Sequence, residues 1–165
     1  MQASRSGRKV IVSQEEVTQH IHRHKEEAAV RETIEAIASA VRRKDVDAVL
    51  ALCSSEIRFY GLVPPLQHVG TDAVREVWKS ALDAFEGPVE YEVHRLDVAV
   101  GDDIAFSRSL NHFGGTQKNG ERVISWLCTT LGFGKTEGVW KLLHQHVSVP
   151  FDMETGKAML DLTPP

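Results

Sequence analysis

Apolar residues recur along this chain at two different periods, and the change of period divides it into halves. From Glu26 onward, Val30, Ile34, Ile37 and Val41 follow at spacings of four, three and four. That spacing places them on one face of a helix. Arg31, Glu32, Glu35, Arg42 and Arg43 fill the positions between. The pattern predicts a long amphipathic helix whose stripe covers a sheet, so the stripe reads as core rather than as a partner-binding face. Asp45 suits the N-cap of a second, short helix that buries Val46, Val49 and Leu50 and ends at Ser54-Ser55. Ile57 to Tyr60 reads as a short strand. Val63-Pro64-Pro65-Leu66 reads as loop, because proline has no amide to give a ladder. Thr71 is the expected cap of a third helix burying Val74, Val77, Trp78, Ala81, Leu82 and Phe85, with Gly87-Pro88 as its stop.

The second half alternates instead. Val89 to Val98, Ile104 to Phe113, Arg122 to Phe133 and Val139 to Val149 read as strands. Gly101-Asp102-Asp103, the stretch from Gly114-Gly115 to Asn119-Gly120, and Lys135 to Gly138 read as the turns between them. Turn signals at these intervals predict an antiparallel meander. Helices first and strands later argue an α+β fold, a curved and mostly antiparallel sheet with the N-terminal helices on its concave face. Met1 to Lys25 is polar and reads as a flexible arm, or as an N-terminal extension of the first helix. Residues 26–165 read as one domain without internal repeats.

Composition narrows the partners. The chain has 165 residues, 42% of them hydrophobic and 25% charged, with a net charge of -4. Lys and Arg are scattered among acids, so nothing marks a nucleic-acid surface. No apolar run has the length of a membrane span or of a signal peptide core. Cys53 and Cys128 lack metal-type spacing and read as semi-buried thiols packing as small hydrophobes. The expected setting is a cytoplasmic protein with reduced thiols.

Particular stretches carry a family likeness. Asp45-Val46-Asp47-Ala48-Val49-Leu50-Ala51-Leu52 and the loop Val63-Pro64-Pro65-Leu66-Gln67-His68-Val69-Gly70 are two of them. The longest is Trp140-Lys141-Leu142-Leu143-His144-Gln145-His146-Val147-Ser148-Val149-Pro150-Phe151, continued by Asp152 to Ala158. In this order they resemble the SnoaL-like polyketide cyclase and ketosteroid isomerase superfamily, with coverage from about Val30 to Leu162. The resemblance implies a cone, a bent sheet wrapped around a ligand pocket and closed by the first helix. It also implies a homodimer and no cofactor. The superfamily contains isomerases, dehydratases, cyclases, hydrolases and proteins without catalysis, so it leaves activity open.

Strand alternation sorts the candidate chemistry. Leu142, His144, His146 and Ser148 share a face on the last strand, and Ile124, Trp126, Cys128 and Thr130 on the one before. Arg108, Leu110 and His112 share one on the strand before that, and Arg58 shares a face with Tyr60. Turned inward, they would build a pocket from Tyr60, Trp78, Trp126, His144 and His146, with His112, Arg108, Cys128 and Thr130 at its wall. His146 is then the proton shuttle, Tyr60 a donor to a substrate oxygen, His144 a second imidazole, and Trp78 and Trp126 a clamp on an apolar skeleton. Structural hydrogen bonding of both imidazoles is the competing reading.

Ketosteroid isomerases use an Asp base. The corresponding place falls at Tyr60-Gly61 and holds no carboxylate, while the nearest acids, Glu56 and Asp72, read as exposed. His112, His144 and His146 supply three nitrogens, but no carboxylate or Cys completes a metal set, so no metal is expected. His20, His22 and His24 read as a solvated cluster. Gly134-Lys135-Thr136 imitates the end of a phosphate-binding loop, yet Thr129 stands where its first glycine belongs and a strand comes next. Trp140 reads as a packing anchor, and Arg108 and Arg122 as exposed strand residues unless they face inward.

Two functions remain open from sequence. One is a cofactor-free acid-base enzyme acting on a hydrophobic small molecule. The other is a non-catalytic ligand-binding or dimeric interaction domain of the same fold.

Overall fold

The computed structural model describes residues 13–165, so most of the expected arm before Gln14 lies outside the described residues. The first helix, α1 (Gln14–Arg42), begins well before the apolar stripe. Ser13 sets its start through a capping box. Its hydroxyl accepts from the Glu16 amide at 3.2 Å, and its own amide donates to the Glu16 carboxylate at 2.8 Å. Gln14 to Lys25 are therefore helical and all exposed, and Glu26 is the first buried residue. From there Val30, Ile34, Ile37 and Val41 are buried together, as their spacing predicts.

Helix α2 (Val46–Ala51) is capped by Asp45, whose carboxylate accepts from the Ala48 amide at 2.9 Å. Strand β1 (Cys53–Tyr60) follows at once, so Ser54-Ser55 lies inside a strand rather than at a helix end. The proline loop leads to a two-residue strand, β2 (His68–Val69), which the sequence did not signal. Helix α3 (Gly70–Asp83) starts one residue before Thr71, and the preceding Val69 makes no side-chain cap. It ends at Asp83, so Phe85 belongs to the next strand.

The long strands are β3 (Phe85–Val100), β4 (Ile104–Gln117), β5 (Arg122–Thr136) and β6 (Val139–Ser148). They form one curved, unclosed sheet in the order β2-β1-β6-β5-β4-β3. Among the described residues only the β1–β6 pair is parallel, and the helices cover the concave face, so the α+β architecture stands as expected. Strands β3 and β4 run past their predicted limits. Pro88 is tolerated because β3 is an edge strand, which leaves its missing amide without a ladder partner to disappoint. Gly114-Gly115 is not a turn. At Gly114 the β4 and β5 backbones come so close that a Cβ would run into the Val123 carbonyl oxygen. Only glycine lets the strand continue there.

One buried carboxylate ties the long helix to the far end of the sheet. Glu26 accepts from the Trp140 indole Nε1 at 2.9 Å and from Lys135 Nζ at 2.6 Å. Trp140 is thus the packing anchor its position suggested, and Lys135 of the imitation phosphate loop is committed to the same carboxylate. The Lys135 contact, then the indole, hold the Glu26 carboxyl below its ordinary value of 4.5. A carboxyl whose pKa falls on folding stabilises the native state above its unfolded pKa, and the contribution fades as pH drops through the folded value. Glu26→Gln should therefore lower the urea midpoint at neutral pH, and its deficit against the wild type should shrink at about pH 3. A deficit independent of pH would contradict the charged contact.

Candidate functional site

A cavity of about 310 Å³ opens between α3 and the concave face. Helix α3 gives it Val77, Trp78, Ser80 and Ala81, and the loop before β2 gives Leu62 and Val63. The sheet gives Phe59, Tyr91, Phe113, Leu127, Thr129, Gln145 and Val147. Ligand pockets commonly have this character, an apolar wall with a few polar groups set into it.

Leu127 and Thr129 line the cavity, so Trp126, Cys128 and Thr130 between and beside them point to the opposite face. The unbroken register of β4 against β5 sets Leu110 beside Cys128, His112 beside Trp126 and Arg108 beside Thr130. These side chains therefore lie on the outer face. A bulge decides β6. Gly132 pairs with His144 but Phe133 pairs with Leu142, so Leu143 is the extra residue. Leu143 lies over Gly134 and His144 over Gly132, both on the outer face. Parity inverts across the bulge, which puts Leu142 in the core and sends Gln145 and Val147 into the cavity wall. Tyr60 obeys the same constraint, since Phe59 turns inward beside Gln145 while Tyr60 pairs with His146.

The inward placement expected for the site residues is thereby corrected. Trp78 alone among them lines the cavity. Tyr60, His144, His146, Trp126, His112, Arg108, Cys128 and Thr130 gather, but on the outer face. A row there runs Asp97, Arg108, Thr130, His146, Tyr60 across five strands. The Tyr60 ring lies 5.3 Å from that of His144 and 6.1 Å from that of His146. Partial burial, then the neighbouring His146, push the His144 pKa down. Trp126 sits between His94 at 5.0 Å and His112 at 4.9 Å. Arg108 bonds Asp97 and Arg122 bonds Glu90. Cys53 is buried, which raises its thiol to about 11, whereas Cys128 is exposed rather than semi-buried. At the other end of the chain, His20 and His24 meet Nε2 to Nε2 at 2.9 Å on the exposed turns of α1.

The polar groups of the concave face carry little signal in the sequence. Asn111 donates through Nδ2 to the Tyr91 hydroxyl at 2.6 Å, and Ser109 Oγ donates to Asn111 Oδ1 at 2.8 Å. Burial pushes the Tyr91 phenol up to about 12, against the opposing pull of Asn111. It is a neutral donor at physiological pH. Trp78 Nε1 and Thr129 Oγ1 are buried at the same wall without a partner among the described residues. Each such group leaves roughly 1–3 kcal/mol of desolvation uncompensated. Ser107, Ser109 and Asn111 recur at alternate positions of β4, with Thr129 on β5 and Gln145 on β6 sharing their face, and this was the available signal. Polar side chains of small or medium size on a strand face usually mean solvent, which hid it.

Residues 30–152 match the SnoaL-like domain family, and the chain belongs to it. The fold stands beside several solved structures. An NTF2-like protein of unknown function from Pseudomonas putida KT2440 is 30% identical, with 86% of this chain and 98% of that chain covered and a TM-score of 0.77. A ketosteroid isomerase-like protein from Erwinia carotovora atroseptica SCRI1043 is 26% identical over 74% of this chain and 95% of that one, with a TM-score of 0.65. The association domain of C. elegans CaMKII shares the fold at 16% identity and a TM-score of 0.62, over 78% of this chain and 98% of that one. No curated protein matches the sequence. No described helix is long and apolar enough to cross a membrane.

Proposed function

We propose that this protein binds one small, uncharged, apolar molecule in the concave cavity, and that binding rather than acid-base turnover is its role there. The observation that carries this reading is the chemistry of the wall. Among the lining residues Tyr91 alone is ionisable, and its phenol titrates far above neutrality. A general base or acid works best with a pKa near the working pH, and the wall supplies none. Acid-base turnover by His146 with Tyr60 and His144, the role expected from the sequence, would act on a substrate held on the outer face. In this reading the protein is cytoplasmic, with both cysteines as free thiols.

The test is calorimetric titration with the bicyclic ketone 1-tetralone. Ala81 lines the cavity from α3, and Ala81→Trp should weaken binding at least about tenfold by occupying the space. His146→Gln on the outer face should leave binding unchanged. Loss of binding on His146→Gln with no effect of Ala81→Trp would put the site on the other face.

A second copy of the chain is the partner we propose for that outer face. What supports it is the exposed apolar content of the outer strand surface, Ile104 at 63% and Phe106 at 46% exposure, on β4 beside Gly134 and Gly132 of β5. Surfaces of this kind commonly mark interaction sites. Thr130 sits mid-row. Sedimentation velocity should give a dimer for the wild type and a monomer for Thr130→Arg. A monomeric wild type would refute the pairing.

A further inference from the structure

We propose that the cavity selects an uncharged carbonyl compound, and that the Tyr91 hydroxyl, oriented by Asn111 and Ser109, is the group that recognises its oxygen. This deepens the ligand-binding reading and rests on it.

Hydrogen-bond direction decides where the Tyr91 proton goes. Asn111 Nδ2 donates to the Tyr91 oxygen, and Asn111 is held in that orientation by the Ser109 hydroxyl on its Oδ1. A phenol that accepts in this way keeps its own proton for another acceptor, and no group among the described residues takes it. Tyr91 lines the cavity and is 7% exposed, so that proton is directed by a chain of three side chains on two adjacent strands, with Tyr91 and Asn111 buried and Ser109 half-buried. Hydrogen bonds passed along such a chain polarise one another. The second observation is independent of the first. Thr129, 3% exposed, stands beside Ser109 in the register of β4 with β5, and its Oγ1 has no partner among the described residues. Trp78, on the facing helix, has a buried indole N–H in the same condition. The wall therefore holds hydrogen-bonding groups with capacity to spare, the Tyr91 and Trp78 donors among them with Thr129 and Gln145 able to donate as well as accept, and no charge. A carboxylate would lose its hydration without meeting a cation, and an ammonium would find no anion. A carbonyl oxygen on an apolar skeleton satisfies both the donors and the apolar lining.

Three bicyclic probes of matched shape separate the terms: 1-tetralone, its hydrocarbon tetralin, and its alcohol 1-tetralol. The wild type should bind 1-tetralone about tenfold more tightly than tetralin, since a site built to bond an oxygen discriminates against the analogue that lacks it. Tyr91→Phe should bring the two within about twofold by weakening the ketone and sparing the hydrocarbon. Retained tetralin binding shows that the variant's cavity is intact. A measurement on the wild type alone guards against a misfolded variant. The infrared carbonyl stretch of bound, carbonyl-¹³C-labelled 1-tetralone should fall below its position in hexane. Equal binding of ketone and hydrocarbon, an unshifted stretch, or a ketone preference that survives Tyr91→Phe would overturn the oxygen contact while leaving the cavity reading in place. Binding of 1-tetralol without 1-tetralone would also overturn it, because Tyr91 would then be giving its proton to Asn111. If neither tetralin nor 1-tetralone binds, the ligand-binding reading falls and this inference with it.

Discussion

Covering one face of the sheet with α1 and α3 determines the destination of every strand side chain. Once Val30, Ile34, Ile37 and Val41 lie on the concave face, the residues opposite them must be apolar or small, and their neighbours must turn outward. The alternation is a property of the backbone and admits no compromise, so a shift of one residue exchanges the two faces completely. In this protein the choice is locked by the helix itself. The Glu26 carboxylate, held by Trp140 and Lys135, fastens α1 to the ends of β5 and β6. The core then fills the angle between them with Leu131, Phe133 and Leu142.

The cavity is what remains where α3 stands off the sheet. Its wall is mostly hydrophobic because it is an extension of the core. Its polar groups are neutral because a charge there would be buried without a counterion. This one condition, burial without charge, links the raised Tyr91 phenol, the Ser109–Asn111–Tyr91 chain and the absence of imidazoles from the lining. His112, His144 and His146 instead lie on the outer face, where partial exposure tolerates them. Family membership is compatible with catalysis and with simple binding alike. The wall of this member favours binding.

Much of the fold was legible because it is written in long periodic segments. The α1 stripe, the Asp45 cap, the order of elements and the meander all follow from spacing and turn residues. The errors fall where tertiary contact overrides a local signal. Ser54-Ser55 and Pro88 look like breakers and lie in strands, since β1 is paired in the sheet and β3 is an edge. Gly114-Gly115 looks like a turn and is a point of close backbone approach. The inward face of the strands is misread from sequence for two physical reasons. Carrying strand parity from Leu142 through to His146 assumes a regular β6, and the bulge at Leu143 reverses it. On β4 and β5 both faces offer plausible lining, and the crowded concave one carries the smaller polar residues Ser107, Ser109 and Thr129 under the helices. Size and hydropathy alone therefore point the wrong way. Trp78 lies on the inward side the sequence indicates, because a helix face, unlike a strand face, is unambiguous from its neighbours Val74 and Leu82.

The central claim is that the concave face, not the outer one, holds the ligand. Intermolecular NOEs between 1-tetralone and the methyl groups of the protein test it most directly. Contacts to Val77, Ala81, Leu127 and Val147 are expected. Contacts to Leu110, Ile124 and Thr130 in their place would contradict it and return the site to the histidine face.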